Sequence, residues 1–384
     1  MRAVVVGGGV AGAASAIALR RIGWAVTVHE AHTDPAGPYG SFVSLASNGL
    51  RGLAALGCLP AVQQAGFPVL RQRMWSGHGK LLGDVPRGRR AGDPLASVTL
   101  NRSDLVSVLR QQAIAAGAKI VTGERVDPGR LPDADLVVGA DGIWSAIRPW
   151  LDPAAPVPRY ASLSTTSGVS GGLTNVAEPG FDPGSFNLTF GRRGAFIHLP
   201  APDGSVWWSA QVAAPNAPDL TLITSESLMT AFSGEPRVGQ ILRAARPGST
   251  STLNHVLDPV PAQAGEYAVL IGDAAHPVGV GQGASMAIED AVILARQLRR
   301  VDPSGGVGVA ACLAAFVELR RGRLGKLAKS AASNRDAKTA GPLAARLRDA
   351  IMPFTFNRFY ERATGWLYDF DPGELPADWS DRAA

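Results

Sequence analysis

The chain has only two cysteines in 384 residues, Cys58 and Cys312. That is too few for a disulfide framework and excludes a cysteine-rich metal site. No histidine pair at i, i+4 beside a carboxylate suggests a metal, and no Gly-x-Ser-x-Gly turn suggests a serine hydrolase. No stretch of about 18 uninterrupted apolar residues occurs, so no transmembrane helix is expected. Charged residues make up 18% and aromatics 7%, and the basic residues are not interleaved with aromatics as on a nucleic-acid surface. Internal repeats are absent as well. A strand beginning at residue 2 leaves no room for a signal or transit peptide, so the expected setting is soluble, reducing and cytoplasmic.

What is present is a hydrophobic fraction of 46%, enough core for about two domains. The net charge of +5 favours approach of anionic ligands, and the clusters Arg71/Arg73 and Arg87/Arg89/Arg90 read as solvated loop charges. Residues 3–6 are a β-branched run ending in glycines, 11–21 a helix stopped at Gly23, and 25–28 a second strand. A helix follows at 48–56, and strand-like runs at 69–75, 80–85 and 97–100 suggest a second layer. Leu105, Val108, Leu109 and Ile114 mark the apolar side of a helix over 103–116, with strands at 119–122 and 136–138. From about 160 to 255 the texture changes. Strands are expected at 185–190, 195–199 and 206–212, with a tight turn at Pro202-Asp203-Gly204-Ser205, and helices at 222–232 and 238–244. Residues 268–271 return to the first style, and helices are expected at 284–300, 309–332 and 343–370. The last carries many aromatics, expected to pack against the main body.

Gly7-x-Gly9-x-x-Gly12 lies between a strand and a helix. The first glycine permits the tight turn, the second admits a pyrophosphate to the backbone, and the third lets the helix pack on the strand. Val10 and Ala11 open that helix, whose N–H groups and dipole face the phosphates. Glu30, 18 residues after Gly12, ends the second strand, where a carboxylate accepts from ribose hydroxyls and repels a 2′-phosphate. FAD or NAD fits there better than NADP. The bland alternative is a glycine-rich turn in an ordinary βαβ unit.

Gly272-Asp273 follows another strand some 260 residues later. A carboxylate there accepts from ribityl hydroxyls of a flavin. Gly279, Gly281 and Gly283 remove side chains so that backbone can lie against a planar ring, and the helix from Ala284 aims its dipole at the ring's pyrimidine edge. A glycine-rich loop capping a helix is the alternative. Together the two segments imply one large cofactor, FAD. Asp141-Gly142 follows a third strand, with Arg148 six residues beyond, and Arg102 opens a helix from which a guanidinium reaches a phosphate or ribityl oxygen. Weaker candidates for catalysis are His276, His198, in a strand facing a cavity, and Trp207, since one of Trp207 and Trp208 is expected to face that cavity. His29 and His32 flank Glu30 at the surface or near an adenine.

The triplet with Glu30, Asn101-Arg102-Ser-Asp-Leu, the run Asp135-Leu-Val-Val-Gly-Ala-Asp-Gly-Ile-Trp-Ser-Ala-Ile-Arg148, and Gly272-Asp-Ala-Ala-His-Pro with Gly281-Gln-Gly-Ala-Ser-Met-Ala-Ile-Glu-Asp-Ala resemble the single-component FAD-dependent aromatic hydroxylases. These are the group A flavoprotein monooxygenases, similar to p-hydroxybenzoate, salicylate and urate hydroxylases. The resemblance spans nearly the whole chain. It implies an α/β fold with a Rossmann-like FAD-binding domain of the p-hydroxybenzoate hydroxylase type, a mixed β-sheet substrate domain and C-terminal helices. The expected division is 1–68, 93–160 and 258–340 for FAD, 69–92 and 161–257 for substrate, and 341–384 as a helical tail.

By the resemblance, Arg102 and Asp273 contact FAD. Asp141 and Gly142 lie near the pyrophosphate and the passing nicotinamide cofactor, Ala284 and Ser285 offer backbone to the isoalloxazine edge, and Val126 sits near the adenine. No second glycine triplet exists for NAD(P)H, which in this family binds transiently. The implied reaction is monooxygenation: NADPH or NADH reduces non-covalently bound FAD, O2 adds to give a flavin C4a-hydroperoxide, and one oxygen passes to a small aromatic or polyketide-like substrate, with hydroxylation as the outcome. Other readings are a Baeyer–Villiger or epoxidising monooxygenase in natural-product tailoring, a flavin-dependent dehydrogenase, and an FAD-containing non-redox cyclase. The implied protein is a monomer or homodimer without nucleic-acid or membrane partners. Two departures stand out. Only Pro277, Val278, Gly279 and Val280 separate His276 from Gly281, about two residues fewer than in relatives, which favours tailoring; and Tyr39 stands where many relatives have an arginine.

Overall fold

Alternation along the first strand sets up two cores. In the computed structural model, which describes residues 1–33, 41–173, 178–277, 281–302, 304, 306–338 and 342–376, β1 (Arg2–Val6) points Ala3 and Val5 into one cluster and Val4 and Val6 into another. Helix α1 (Val10–Arg21) crosses over to β2 (Ala25–Glu30), which pairs in parallel with β1, Val5 opposite Val28. The parallel sheet has the order β15-β9-β1-β2-β8, adding β8 (Lys119–Thr122), β9 (Leu136–Gly139) and β15 (Ala268–Leu270). Every strand pair in it is parallel. Helices α1, α4 (Arg102–Ala115) and α8 (Gly283–Leu298) cover one face, and α5 (Ile147–Leu151) with the approach to β15 covers the other. This is a Rossmann-like α/β unit.

A small antiparallel sheet, β3-β7-β4, stands beside it, built from β3 (Phe42–Leu45), β4 (Phe67–Val69) and β7 (Ser97–Asn101). Helices α2 (Ser47–Ala55) and α3 (Leu59–Ala65) connect β3 to β4. The third sheet has seven strands in the order β14-β10-β13-β12-β11-β5-β6: β5 (Arg71–Trp75), β6 (Leu81–Pro86), β10 (Arg159–Ser170), β11 (Ser185–Phe190), β12 (Gly194–Pro200), β13 (Val206–Ala213) and β14 (Thr250–Val256). Only β11 and β5 pair in parallel; the sheet is mixed. Its back carries α6 (Ser225–Ala231), held by a Thr224/Ser227 capping box, and α7 (Pro236–Arg243) over Phe196, Trp208, Leu228, Phe232 and Ile241. Its front faces α9 (Val309–Lys338) and α10 (Pro342–Tyr368) across a cavity. No helix among the described residues is long and apolar enough to cross a membrane.

Several expectations from pattern are corrected. The run 69–75 is two strands in different sheets, β4 ending at Val69 and β5 starting at Arg71, because the chain turns at Leu70. Residues 97–100 join the small sheet, not the layer of β5 and β6. On α4 the buried side is Leu105, Val106, Leu109, Arg110 and Ala113, whereas Ile114 is 58% exposed. Strands β3, β10 and β14 had no clean apolar alternation; β10 and β14 are rich in Ser and Thr, and part of their surface lines the cavities. In the tail, Tyr360 and Tyr368 are buried, but Phe354 is 82% exposed.

His198 lies fully buried on the back of β12, its Nε2 2.9 Å from the Gly180 carbonyl. Burial pushes its pKa from 6.5 down to about 4, with the Gly180 carbonyl opposing and Arg237 adding to the effect. Unfolded chains bind a proton below pH 6.5 that the native one refuses until about 4, so stability falls as pH falls through that window, by on the order of 3 kcal/mol. Urea unfolding at pH 7 and pH 4.5 should show a flatter pH dependence for His198→Gln than for the wild type; equal slopes would contradict the assignment.

Candidate active site

Three loops leave the same edge of the parallel sheet: Gly7 after β1, Ala140 after β9 and Ile271 after β15. Gly7 has φ +98°, and a Cβ there would lie 2.4 Å from the Ala140 carbonyl oxygen. A Cβ on Gly12 would lie 1.8 Å from the Gly7 carbonyl oxygen, so α1 can rest on β1 only with glycine here. A Cβ on Gly9 would meet nothing within 4 Å: the backbone at the start of α1 fronts open space, as a pyrophosphate cradle requires. Val10 and Ala11 form the first turn behind it.

Glu30 closes this loop. Its Oε2 accepts from Gly8 N at 2.7 Å and lies 3.1 Å from Arg110 Nη2; its Oε1 accepts from His32 N at 2.9 Å. Oε1 keeps a second lone pair for a hydroxyl. Arg110 also donates from Nε to the Gly8 carbonyl at 2.7 Å. Sequence reading missed Arg110; the signal was an arginine on the apolar side of α4. His29 is buried, with Nδ1 3.3 Å from Glu124.

Asp141 Oδ2 accepts from Ala146 N (2.7 Å) and Ile147 N (3.2 Å), capping α5, while its Oδ1 is buried without a partner. Gly142 beside it has φ +79° and open space where a side chain would stand. Arg148 is not a ligand-facing residue. It is buried and donates to the carbonyls of Ala274 (3.0 Å) and Ile143 (2.8 Å), stitching the second loop to the third. Val126 packs with Val4, Val137 and Ile147 on the far face of the sheet.

The third loop opens into the main cavity, about 1810 Å3, between the front of the seven-stranded sheet and α9 and α10. Arg102, Asp273, His276 and Gly281–Gly283 share its wall. Asp273 is open to the cavity yet ringed by protein; that enclosure raises its pKa, with His276 and Arg102 pulling the other way. Gly272 takes φ +56° just before it, and a Cβ on Gly283 would sit 3.5 Å from Asp273 Oδ1. A second cavity of about 300 Å3 is lined by Ser41–Ser44 and Gly281–Ser285. The first turn of α8, with Gly283, Ala284 and Ser285, thus faces it with N–H groups that have no intrahelical partner. Residues 278–280 and Tyr39, on which two departures from relatives turned, lie outside the described residues.

His276 is held by an ionic cluster that sequence reading missed. Its Nε2 is 2.6 Å from Asp290 Oδ2, which also accepts from Gly272 N at 2.9 Å. Arg320 bridges Asp290 and Glu289, both at 2.7 Å, and Glu289 also binds Arg323 and Asn48. Burial would raise the Asp290 pKa, but His276 and Arg320 hold it at about 2. Acidic residues inside an otherwise apolar helix were the available signal. His276 lines the cavity, but its role visible here is to tie the third loop to α8.

The other weak candidates do not reach the chamber. His198 is on the back of β12, where it packs with Phe181 and Phe196; its neighbour Ile197 faces the cavity instead. Neither Trp207 nor Trp208 lines either of these two cavities. Trp207 shares a face with Ser209 and Gln211 but packs on Phe42 and Phe67, and Trp208 stacks on Phe196 behind the sheet. The chamber walls are instead Met74, Leu163, Phe186, Leu188, Phe190 and Ile197, with polar points at Gln72, Gln211, Thr252 and Asn254.

The fold and site define a dinucleotide-binding α/β protein with a chamber beside the cofactor loops. Compared with family models, the chain matches none. It is 31% identical over 318 residues to aurachin C monooxygenase/isomerase of Stigmatella aurantiaca, covering 77% of this chain and 80% of that one. It is 28% identical over 336 residues to the FAD-dependent urate hydroxylase of Klebsiella oxytoca, covering 80% and 84%. Among solved structures, Klebsiella pneumoniae HpxO complexed with FAD and uric acid superposes with a TM-score of 0.78 at 23% identity, covering 96% of each chain. The chain belongs to the FAD-dependent aromatic hydroxylases, the group A flavoprotein monooxygenases. Its cofactor is FAD, and it is an oxidoreductase.

Replacing Arg320 by Met removes the cation that bridges Glu289 and Asp290, leaving Glu289 to Arg323 and Asn48 and Asp290 to His276 and Gly272 N. Unfolding free energy should drop by about 3–5 kcal/mol in urea denaturation, the cost of breaking a buried ion cluster; a change under about 1 kcal/mol would show that the cluster is not a brace.

Proposed function

We propose that this monooxygenase takes electrons from NADPH or NADH and hydroxylates an aromatic substrate held in the 1810 Å3 chamber. The observation that carries the reading is the convergence of Arg102, Asp273 and the start of α8 on the wall of the chamber, with the start of α8 also lining the second cavity. Residues from positions 102, 273 and 283 meet there only because three sheet loops and α4 open at one edge. The names of relatives support the substrate class: one acts as a urate hydroxylase, another as a 2-heptyl-3-hydroxy-4(1H)-quinolone synthase of Pseudomonas aeruginosa, 27% identical.

On this reading Gly7, Gly9, Gly12 and the first turn of α1 hold the pyrophosphate of FAD. Glu30 holds a ribose, and Val126 borders the adenine. Asp141 and Gly142 stand by the phosphates; the unpartnered Asp141 Oδ1 and the open space at Gly142 suit a polar ligand. Arg102 and Asp273 take the ribityl and phosphate oxygens, and Gly272, Gly283, Ala284 and Ser285 flank the ring. Bound there, FAD supplies the redox chemistry: it accepts hydride and activates O2.

The chain's own contribution is placement and exclusion of water. The α8 N-terminus sets positive potential at the ring edge, which stabilises negative charge. The apolar walls from β5, β11 and β12 keep the chamber dry against wasteful release of reduced oxygen species. Residues 1–68, 93–160 and 258–340 then serve FAD and 69–92 with 161–257 serve the substrate. The parallel sheet draws only on the first set, and the seven-stranded sheet almost wholly on the second.

Asp273→Asn should weaken FAD affinity roughly ten- to a hundredfold, as loss of a charged acceptor predicts, measured by titrating apoprotein. Unchanged affinity would remove Asp273 from the site. A panel of aromatic compounds with NADPH or NADH and isotopically labelled O2 tests the reaction. One labelled oxygen in the product supports it. Product without label, or flavin that neither nicotinamide bleaches with any compound, contradicts it.

A further inference from the structure

We propose that Arg87 is an anion-binding residue of the chamber and that the substrate enters with a negatively charged oxygen, a carboxylate or ionised ring hydroxyl, on its aromatic system. This rests on the reading of the chamber as the substrate site. Arg87 looked like one of three solvated loop arginines. The structure separates them: Arg89 turns to the Asp93 carbonyl and Arg90 to the Asp369 carboxylate, while Arg87 turns inward and lines both cavities.

Its backbone is pinned just past β6. The amide donates to the Leu70 carbonyl at 3.0 Å, and the carbonyl accepts from Ser97 Oγ at 2.7 Å. The guanidinium lies 3.8 Å above the centre of the Phe186 ring, and Nη1 donates to Gln72 Oε1 at 2.6 Å. Its Nε is buried without a hydrogen-bond partner. A planar, permanently charged fork held flat on an aromatic ring is preorganised for an oxyanion.

Comparison with the other cavity arginines singles it out. Arg159 has Asp258 at 3.3 Å, Arg321 has Glu318 at 2.7 Å, and Arg348 has Asp349 at 2.8 Å. Arg102 lies in the field of Asp273. Among the described residues no carboxylate pairs with Arg87. Gln72 and the Phe186 ring return only part of the solvation this half-buried cation has lost, Nε is left without a partner, and a ligand anion would supply the missing counter-charge. The residues around it suit an aromatic anion. Phe186 and Ile197 line both cavities and offer apolar surface, and the Tyr360 and Tyr368 hydroxyls, 3.2 Å apart, stand in the same chamber. Arg87 also faces a wall formed by Gly281–Gly283, so an anion anchored on it is held at the boundary with the flavin side.

The probe pair is 2-naphthoate and its neutral isostere 2-naphthamide, titrated calorimetrically into the FAD-loaded protein at low salt. The wild type should bind the acid at least about tenfold more tightly than the amide, and Arg87→Met should lose that preference while amide affinity stays within about twofold. Arg87→Lys should keep part of it, because the charge remains without the fork. Gln72→Glu gives Arg87 an internal counter-ion and should abolish the preference with the arginine in place. The flavin absorbance of each variant reports that the holoprotein is folded. Equal binding of acid and amide by the wild type overturns the proposal. So does a preference that survives Arg87→Met or, if that variant does not hold FAD, one that survives Gln72→Glu. Failure to incorporate labelled oxygen would overturn the monooxygenase reading and leave this preference untouched, since calorimetry needs no turnover.

Discussion

The site depends on parallel pairing of β1 with β9 and of β9 with β15. Parallel strands put all their C-terminal ends at one edge, so the loops after Val6, Gly139 and Leu270 must meet there. No other arrangement of these segments brings residues 7–12, 141–142 and 272–273 together from so far apart in the chain. The braces found around the site all serve that edge. Glu30 and Arg110 clamp the first loop, Arg148 ties the second loop to the third, and Asp290 holds the third loop and His276 against α8.

The chamber is built by the opposite logic. The seven-stranded sheet turns its large aromatics, Phe196 and Trp208, to the back, where α6 and α7 seal them. Its front carries Phe186 and Phe190 among medium apolar side chains and a few amides and hydroxyls, and α10 forms the facing wall. Period-two alternation makes this division unambiguous along β12: Ile197 faces the chamber and His198 does not. A protein that leaves redox chemistry to its cofactor has little need of ionisable groups in such a chamber, and an unpaired arginine there is correspondingly informative.

Legibility in the sequence followed the locality of the signal. The glycine triplet, Glu30 and Gly272-Asp273 could be read because each is a short stretch whose geometry is local, and their neighbouring strands are β-branched runs. Arg102 could be placed because it opens a helix. Arg110, Arg320, Asp290 and Arg87 could not, since their meaning lies in partners 14 to over 100 residues away. The direction of His198 was misread for a related reason: strand alternation gives two faces but not which face meets the cavity. Trp207 does stand on the chamber face, but Phe42 and Phe67 cover it. The polar strands β10 and β14 escaped notice because a cavity wall carrying hydroxyls and amides does not show the apolar alternation of a core.

The central claim is that separate loops grip the two ends of one FAD. Calorimetric titration of the apoprotein with FAD, ADP and riboflavin tests it directly. The account predicts one FAD per chain, with ADP and riboflavin each binding far more weakly than FAD and each without excluding the other. Apoprotein that takes up no FAD, or that binds riboflavin as tightly as FAD, would contradict it.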